Sequence, residues 1–272
     1  MKRRWGIAGG VVAVVAVVLG FAARRSPPDA APVSVVPVEQ VSRCLTTRVT
    51  PAVRTEGVAA ICDDVYAETG LDVARVDQLR MDADLAVRNV ERFFGALRSR
   101  PLVFFCQSPA CKMALGASPD IAASDDLGFA NPEVTLEDGA PVLSAVVASG
   151  PFESTSRVLT HERVHAEMKT WIAYDSLPTW FNEGTATYIA SEPPCIPGKD
   201  AGIDVAALST NQAWQRHLDN TAKVHETYCA ARAKVDTWMQ RFESDAMRAE
   251  ALKTLMTSVR RGTPFETAFD AN

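Results

Sequence analysis

The chain has 272 residues, 47% of them hydrophobic and 22% charged, with a formal net charge of −5. That length allows one large domain or two small ones, and the composition is that of a globular protein, which sets disorder aside as the default. Lys2, Arg3, Arg4, Arg24 and Arg25 mask a more acidic body: residues 26–272 carry 23 basic against 33 acidic residues, net −10. Such a body repels phosphate backbones, so nucleic acid is not expected as a partner.

Trp5 to Ala23 form a run of 19 residues without a charge. As a helix rising about 1.5 Å per residue, the run nearly matches a hydrocarbon core of roughly 30 Å. Residues 1–25 therefore read as an uncleaved N-terminal transmembrane helix, with a signal peptide cleaved after Gly20-Phe21-Ala22 as the alternative. Either way residues 26–272 face a compartment outside the cytosol; for a bacterium the expectation is a single-pass inner-membrane protein with a periplasmic body. Residues 26–45 open with SPPDAAPVSVVPVEQ, whose four prolines suit a semi-rigid spacer.

Residues 46–99 read as a helical N-terminal part. Within it Val73 to Leu97 places Val76, Leu79, Ala83, Val87, Val90, Phe93 and Phe94 at helical steps. From residue 100 the period changes. Leu102 to Phe105 follows Pro101 as a short apolar strand, and Val134–Leu136 and Val142–Ala148 are two more strand candidates around the turn signal Glu137-Asp138-Gly139. After Gly150-Pro151 helices dominate: one through His161 and His165, then Thr179–Ala190, Asp204–Asp219, Lys223–Phe242 and Asp245–Arg261. The fold class is α+β, a small mixed sheet packed on a predominantly helical domain spanning 100–272.

Six cysteines, Cys44, Cys62, Cys106, Cys111, Cys195 and Cys229, contain no C-x-x-C pair, which argues against a thiolate zinc site and for disulfides outside the cytosol. Proximity favours Cys44–Cys62, Cys106–Cys111 and Cys195–Cys229; buried free thiols are the alternative.

The segment His161-Glu162-Arg163-Val164-His165 puts two imidazoles four residues apart, on one helix face, where they can take adjacent corners of a tetrahedral metal site. Glu162 stands about 100° round the helix, placed to take a proton from water at the metal. Eighteen residues after His165, beyond the turn Asp175-Ser176-Leu177-Pro178, comes Glu183 within Trp180-Phe181-Asn182-Glu183-Gly184-Thr185-Ala186. A helix–turn–helix of this length can bring Glu183 to face the histidines, completing a His₂Glu set with an open position. Gly184 beside it suits a close helix approach. The competing reading is a solvated surface helix and a solvated carboxylate.

These two motifs resemble those of the gluzincins, the thermolysin-like and aminopeptidase-like zinc peptidases. Arg261-Gly262-Thr263-Pro264-Phe265-Glu266-Thr267-Ala268-Phe269 is similar to the tail of small bacterial members with minimal catalytic domains. The resemblance covers residues 100–270 and implies a zincin-like catalytic domain, one zinc ion per chain on His161, His165 and Glu183, and hydrolysis of a peptide or protein substrate with Glu162 as base. It also implies an oxyanion donor from a later helix. Tyr228 is the favoured candidate and His225 the other, and a Cys195–Cys229 bridge would pin that helix near the site. His217 reads as a surface residue. Thermolysin-like members have an Asp four residues after the third ligand; here Thr187 stands there, whose hydroxyl can accept an imidazole N–H without the charge, another carboxylate elsewhere being the alternative. Such enzymes bind substrate as an added strand, for which Val142–Ser149 is the expected sheet edge, an interior strand being the alternative. A non-catalytic binding or assembly module with a structural zinc is the alternative to a peptidase, and cleavage of an amide in cell-wall peptide would use the same chemistry.

Overall fold

The computed structural model describes residues 57–62, 64–114, 128–131, 145–148, 155–191, 195 and 202–271. The transmembrane helix and spacer expected over 1–45, and the strand expected at Val134–Leu136, lie outside these residues. No helix among the described residues is long and apolar enough to cross a membrane.

The protein is mostly helical with a small mixed sheet, the α+β class expected. Among the described residues five strands, β1 (Val58–Cys62), β2 (Val65–Glu68), β3 (Leu102–Phe105), β4 (Gly128–Asn131) and β5 (Ala145–Ala148), stand in the order β1-β2-β3-β5-β4. β1 and β2 are antiparallel, β2, β3 and β5 run parallel, and β4 closes the edge antiparallel to β5.

The first two strands correct the helical reading of residues 46–99. Val65, Tyr66 and Ala67 are all buried, because β2 lies between β1 and β3 and is covered on both faces. A strand buried on both faces has no alternation for periodicity to detect. A second correction concerns the edge. β5, the core of the expected edge strand Val142–Ser149, is interior, and β4 holds that edge instead. Sequence position next to the following helix does not order strands in a sheet; hydrogen-bond pairing does.

Helix α1 (Val73–Phe94) matches the expectation. The Asp72 carboxylate accepts from the Arg75 amide at 2.8 Å to cap its start, and Gly95, at φ 77°, ends it. Its buried face packs on the sheet and on α3 (Thr155–Lys169), the helix of the two histidines. After the short α2 (Pro109–Ala114) and α3, a 3₁₀ turn (Tyr174–Ser176) leads into α4 (Thr179–Ile189), which carries Glu183. The helix expected over Asp204–Asp219 is split into a 3₁₀ turn (Val205–Leu208) and α5 (Asn211–Asp219). Thr210 causes the break: its hydroxyl accepts from the Ala213 amide at 3.2 Å and starts a new helix. Then follow α6 (Val224–Met239), α7 (Asp245–Arg260) and α8 (Phe265–Ala271).

Two apolar cores meet at α3. Val158 and Leu159 join the core between α1 and the sheet, whereas Val164 and Met168 join the larger one formed with α4, α6, α7 and α8. Every residue from Val158 to Met168 is buried. A helix enclosed on all sides and still carrying Thr160, His161, Glu162, Arg163, His165 and Glu167 must find partners for each, since an unsatisfied polar group inside costs about 1–3 kcal/mol. Glu167 shows how: its carboxylate accepts from the amides of Arg98 and Ser99 at 2.9–3.2 Å and holds the loop that leads into β3.

Candidate metal centre

The helix period brings His161 and His165 to one side of α3, and the turn after it carries Glu183 back against them. His161 Nε2 lies 3.1 Å from His165 Nε2 and 3.2 Å from Glu183 Oε2, and His165 Nε2 lies 3.5 Å from the same oxygen. A tetrahedral ion with arms of about 2.0–2.1 Å separates its donors by about 3.3–3.4 Å. The triangle therefore has the size a small divalent ion requires, and among the described residues it is the one group of three His, Cys, Asp or Glu donors placed to hold a metal. All three side chains are at most 1% exposed, which overturns the picture of solvated histidines and a solvated carboxylate.

The electrostatics match a ligand set. Burial alone would raise the Glu183 carboxyl, but the imidazoles of His165 and His161 lying against it carry it well below the usual carboxylate range. Burial pushes the His165 imidazole down, against the pull of Glu183, and so favours its neutral form. An anionic carboxylate and neutral imidazoles are the protonation states that bind metal.

Tyr174 is the residue that sequence reasoning missed. Its hydroxyl donates to Glu183 Oε1 at 2.6 Å, leaving Oε2 to the histidines, and its ring packs edge-on to His165 at 5.7 Å. The Asn182 amide nitrogen donates to the Tyr174 carbonyl at 2.9 Å and ties the turn to the helix that carries the ligand. Metal ligands are oriented by such outer partners. The only signal was a lone tyrosine in the turn between the two motifs, and no periodicity marks it. Thr187 does not supply the contact considered for it: the hydroxyl is buried without a hydrogen bond among the described residues, as is Nδ1 of His165.

Glu162 is fully buried beside His161 on α3. Its charge and that of Glu183 bear on Lys169, whose ammonium burial pushes down. Of the two candidates on α6, Tyr228 is the one at the centre. It is 3% exposed, its ring lies edge-on 6.2 Å from that of His161, and Trp214 backs it at 5.2 Å. His225 is instead half-buried beside the disulfide, with Nε2 3.5 Å from Cys229 Sγ. His217 is no free surface residue: its Nε2 lies 3.0 Å from the Thr227 hydroxyl and links α5 to α6.

Gly184 explains how α6 comes so near. A Cβ there would stand 2.5 Å from the Ala231 carbonyl oxygen and 2.9 Å from Val235 Cγ2. The backbones of the two helices come together one residue after Glu183, the close approach that the sequence suggested. Cys195 is bonded to Cys229, the neighbour of Tyr228, and Cys106 to Cys111. Cys62 is also disulfide-bonded, and its expected partner Cys44 lies outside the described residues.

No protein-family model matches the chain, and no curated protein matches it. The geometry of the centre therefore carries the functional reading.

Proposed function

We propose that this chain is a zinc metallopeptidase of the gluzincin kind that hydrolyses peptide bonds outside the cytosol, tethered to a bacterial inner membrane by residues 1–25. The observation that carries the reading is the buried triangle of His161, His165 and Glu183, with Glu162 on the same helix. Two imidazoles and a carboxylate are a donor set that suits zinc, and three protein donors leave a position open, as catalytic sites do.

When bound, the ion would supply Lewis-acid polarisation of a carbonyl and of water. The chain's own residues do the rest. Glu162 takes the proton of the attacking water and passes it to the departing amine. Tyr228 donates its hydroxyl to the carbonyl oxygen as negative charge gathers there. Tyr174 holds Glu183 in its ligating pose. An extended peptide pairs along β4, the outermost strand of the sheet among the described residues, which packs directly on α3.

Complete burial of the donors favours a second reading, a non-catalytic envelope module with a structural ion. One experiment separates the two. Zinc content is measured on the purified chain, and a diverse peptide library is digested with the wild type and Glu162→Gln. The expected outcome is one zinc per chain in both proteins and cleavage reduced at least about a hundredfold in the variant. Zinc retained without Glu162-dependent cleavage would establish the second reading, and a chain that binds no metal would defeat both.

A further inference from the structure

Lys169 continues the row that His161 and His165 begin. Each stands four residues after the last, so the three lie on one side of α3, and Lys169 is one turn, about 6 Å, beyond His165. A lysine in the last turn of a helix commonly serves the helix dipole from the solvent. This side chain is half-buried instead, and its Nζ lies over the ring of Tyr174, 5.6 Å from the centroid. The same ring packs on His165, and the Tyr174 hydroxyl donates to Glu183. The charge of Lys169 bears on His165, Glu162 and Glu183 alike. Among the described residues its ammonium makes no hydrogen bond and no ion pair at contact distance.

A cation at this place works against metal binding, because like charges repel. It suits an anion that arrives with the ligand. With a divalent ion on the histidines, the carboxylates of Glu162 and Glu183 offset its two charges, and the ammonium leaves one positive charge in excess. A neutral peptide backbone does not answer that charge. A carboxylate does, through a charge-assisted hydrogen bond. The reach is short: an extended chain covers one helical turn in about two residues, at roughly 3.3–3.6 Å each.

We propose that Lys169 is a specificity-determining residue of this centre and pairs with a substrate carboxylate within two residues of the bond that is cut. That carboxylate is the C-terminus of the substrate or the side chain of an aspartate or glutamate. This role presupposes the peptidase reading and names the substrate class, peptides that carry a negative charge next to the cleaved bond.

The test uses short peptides that differ in one group: a free C-terminal acid against its amide and, with the end amidated, Asp against Asn at each position in turn. Cleavage is followed with the zinc-loaded full chain. Binding is measured by calorimetry on zinc-loaded Glu162→Gln, so that peptides are held without being cut. The acid of a pair should lower KM and tighten binding at least about tenfold. The pair that shows the preference tells a C-terminal carboxylate from a side chain. Lys169→Met should bring the ratio to about one, and Lys169→Arg should keep most of it. If Lys169→Met does not fold, Lys169→Gln takes its place. Equal binding of acid and neutral partner, a preference that survives without the lysine (the carboxylate then sits on the ion), or no peptide binding at all would each overturn the assignment. Failure of the peptidase reading shows differently, as the absence of Glu162-dependent cleavage whatever the binding ratio.

Discussion

Single atoms decide whether Glu183 is a ligand. Its two oxygens have separate tasks: Oε2 faces His161 and His165, and Oε1 accepts from Tyr174. The hydroxyl thus stops the carboxylate from rotating, although it adds no charge. Tyr174→Phe keeps the ring against His165 and removes only the donor. Metal affinity, read by competition with a chelating dye, should fall about 10–100-fold, with an unchanged circular dichroism spectrum. An unchanged affinity would mean that the surrounding packing already holds the carboxylate. The same scale shows why Thr187 was a poor substitute for an acid. It lies one turn beyond Glu183 on α4, yet its hydroxyl reaches no imidazole.

Among the elements, α4 and α6 are the pair whose fit sets the site. α4 delivers Glu183, α6 delivers Tyr228, and Gly184 is what lets them close. Gly184→Ala should gain about 1 kcal/mol in helix propensity. It must also push the Ala231 carbonyl away from a Cβ at 2.5 Å. Backbone has little room to give, so the clash wins. Urea unfolding should show a net loss of about 1–3 kcal/mol, the usual cost of overpacking. Tyr228 should then lie farther from His161 and metal affinity should drop with stability. One turn before Gly184, aromatic rings hold α4: Trp180 and Phe181 pack edge-on against Phe265 and Phe269 of α8, and Trp238 donates its indole N–H to the Phe269 carbonyl at 3.0 Å. The C-terminal tail therefore braces the helix that carries Glu183.

For the molecule as a whole, the centre is where separate constraints on the chain meet. The Cys195–Cys229 bridge closes 34 residues between the end of α4 and α6. A loop of that length corresponds to about 3–4 kcal/mol of unfolded-state entropy. Cys195→Ser with Cys229→Ser should lower the thermal midpoint and free α6, so that the peptide cleavage proposed for this site falls more than metal content does. Metal should stabilise too, because three buried donors have no such partner in the unfolded chain. At free zinc about a thousandfold above Kd the gain is about 4 kcal/mol. A chelator should therefore lower the midpoint of the wild type, and excess zinc should restore it.

The sequence by itself determined the donors, because a spacing of four on a helix is a local fact: His161 and His165 share a face wherever the helix lies. It also pointed to α1, α6 and α7, whose apolar steps recur over many turns, and to the bridges Cys106–Cys111 and Cys195–Cys229. Other features were decided only by the tertiary structure. β1 and β2 exist through pairing with β3, and the interior place of β5 follows from which strands bond. Burial on every side of α3 erased the amphipathic pattern that would have oriented it. Tyr174 reaches Glu183 across a turn, and Tyr228 comes to His161 from a helix more than sixty residues on. Contacts of this kind leave no periodic trace in a sequence, because the distance that matters is measured through space.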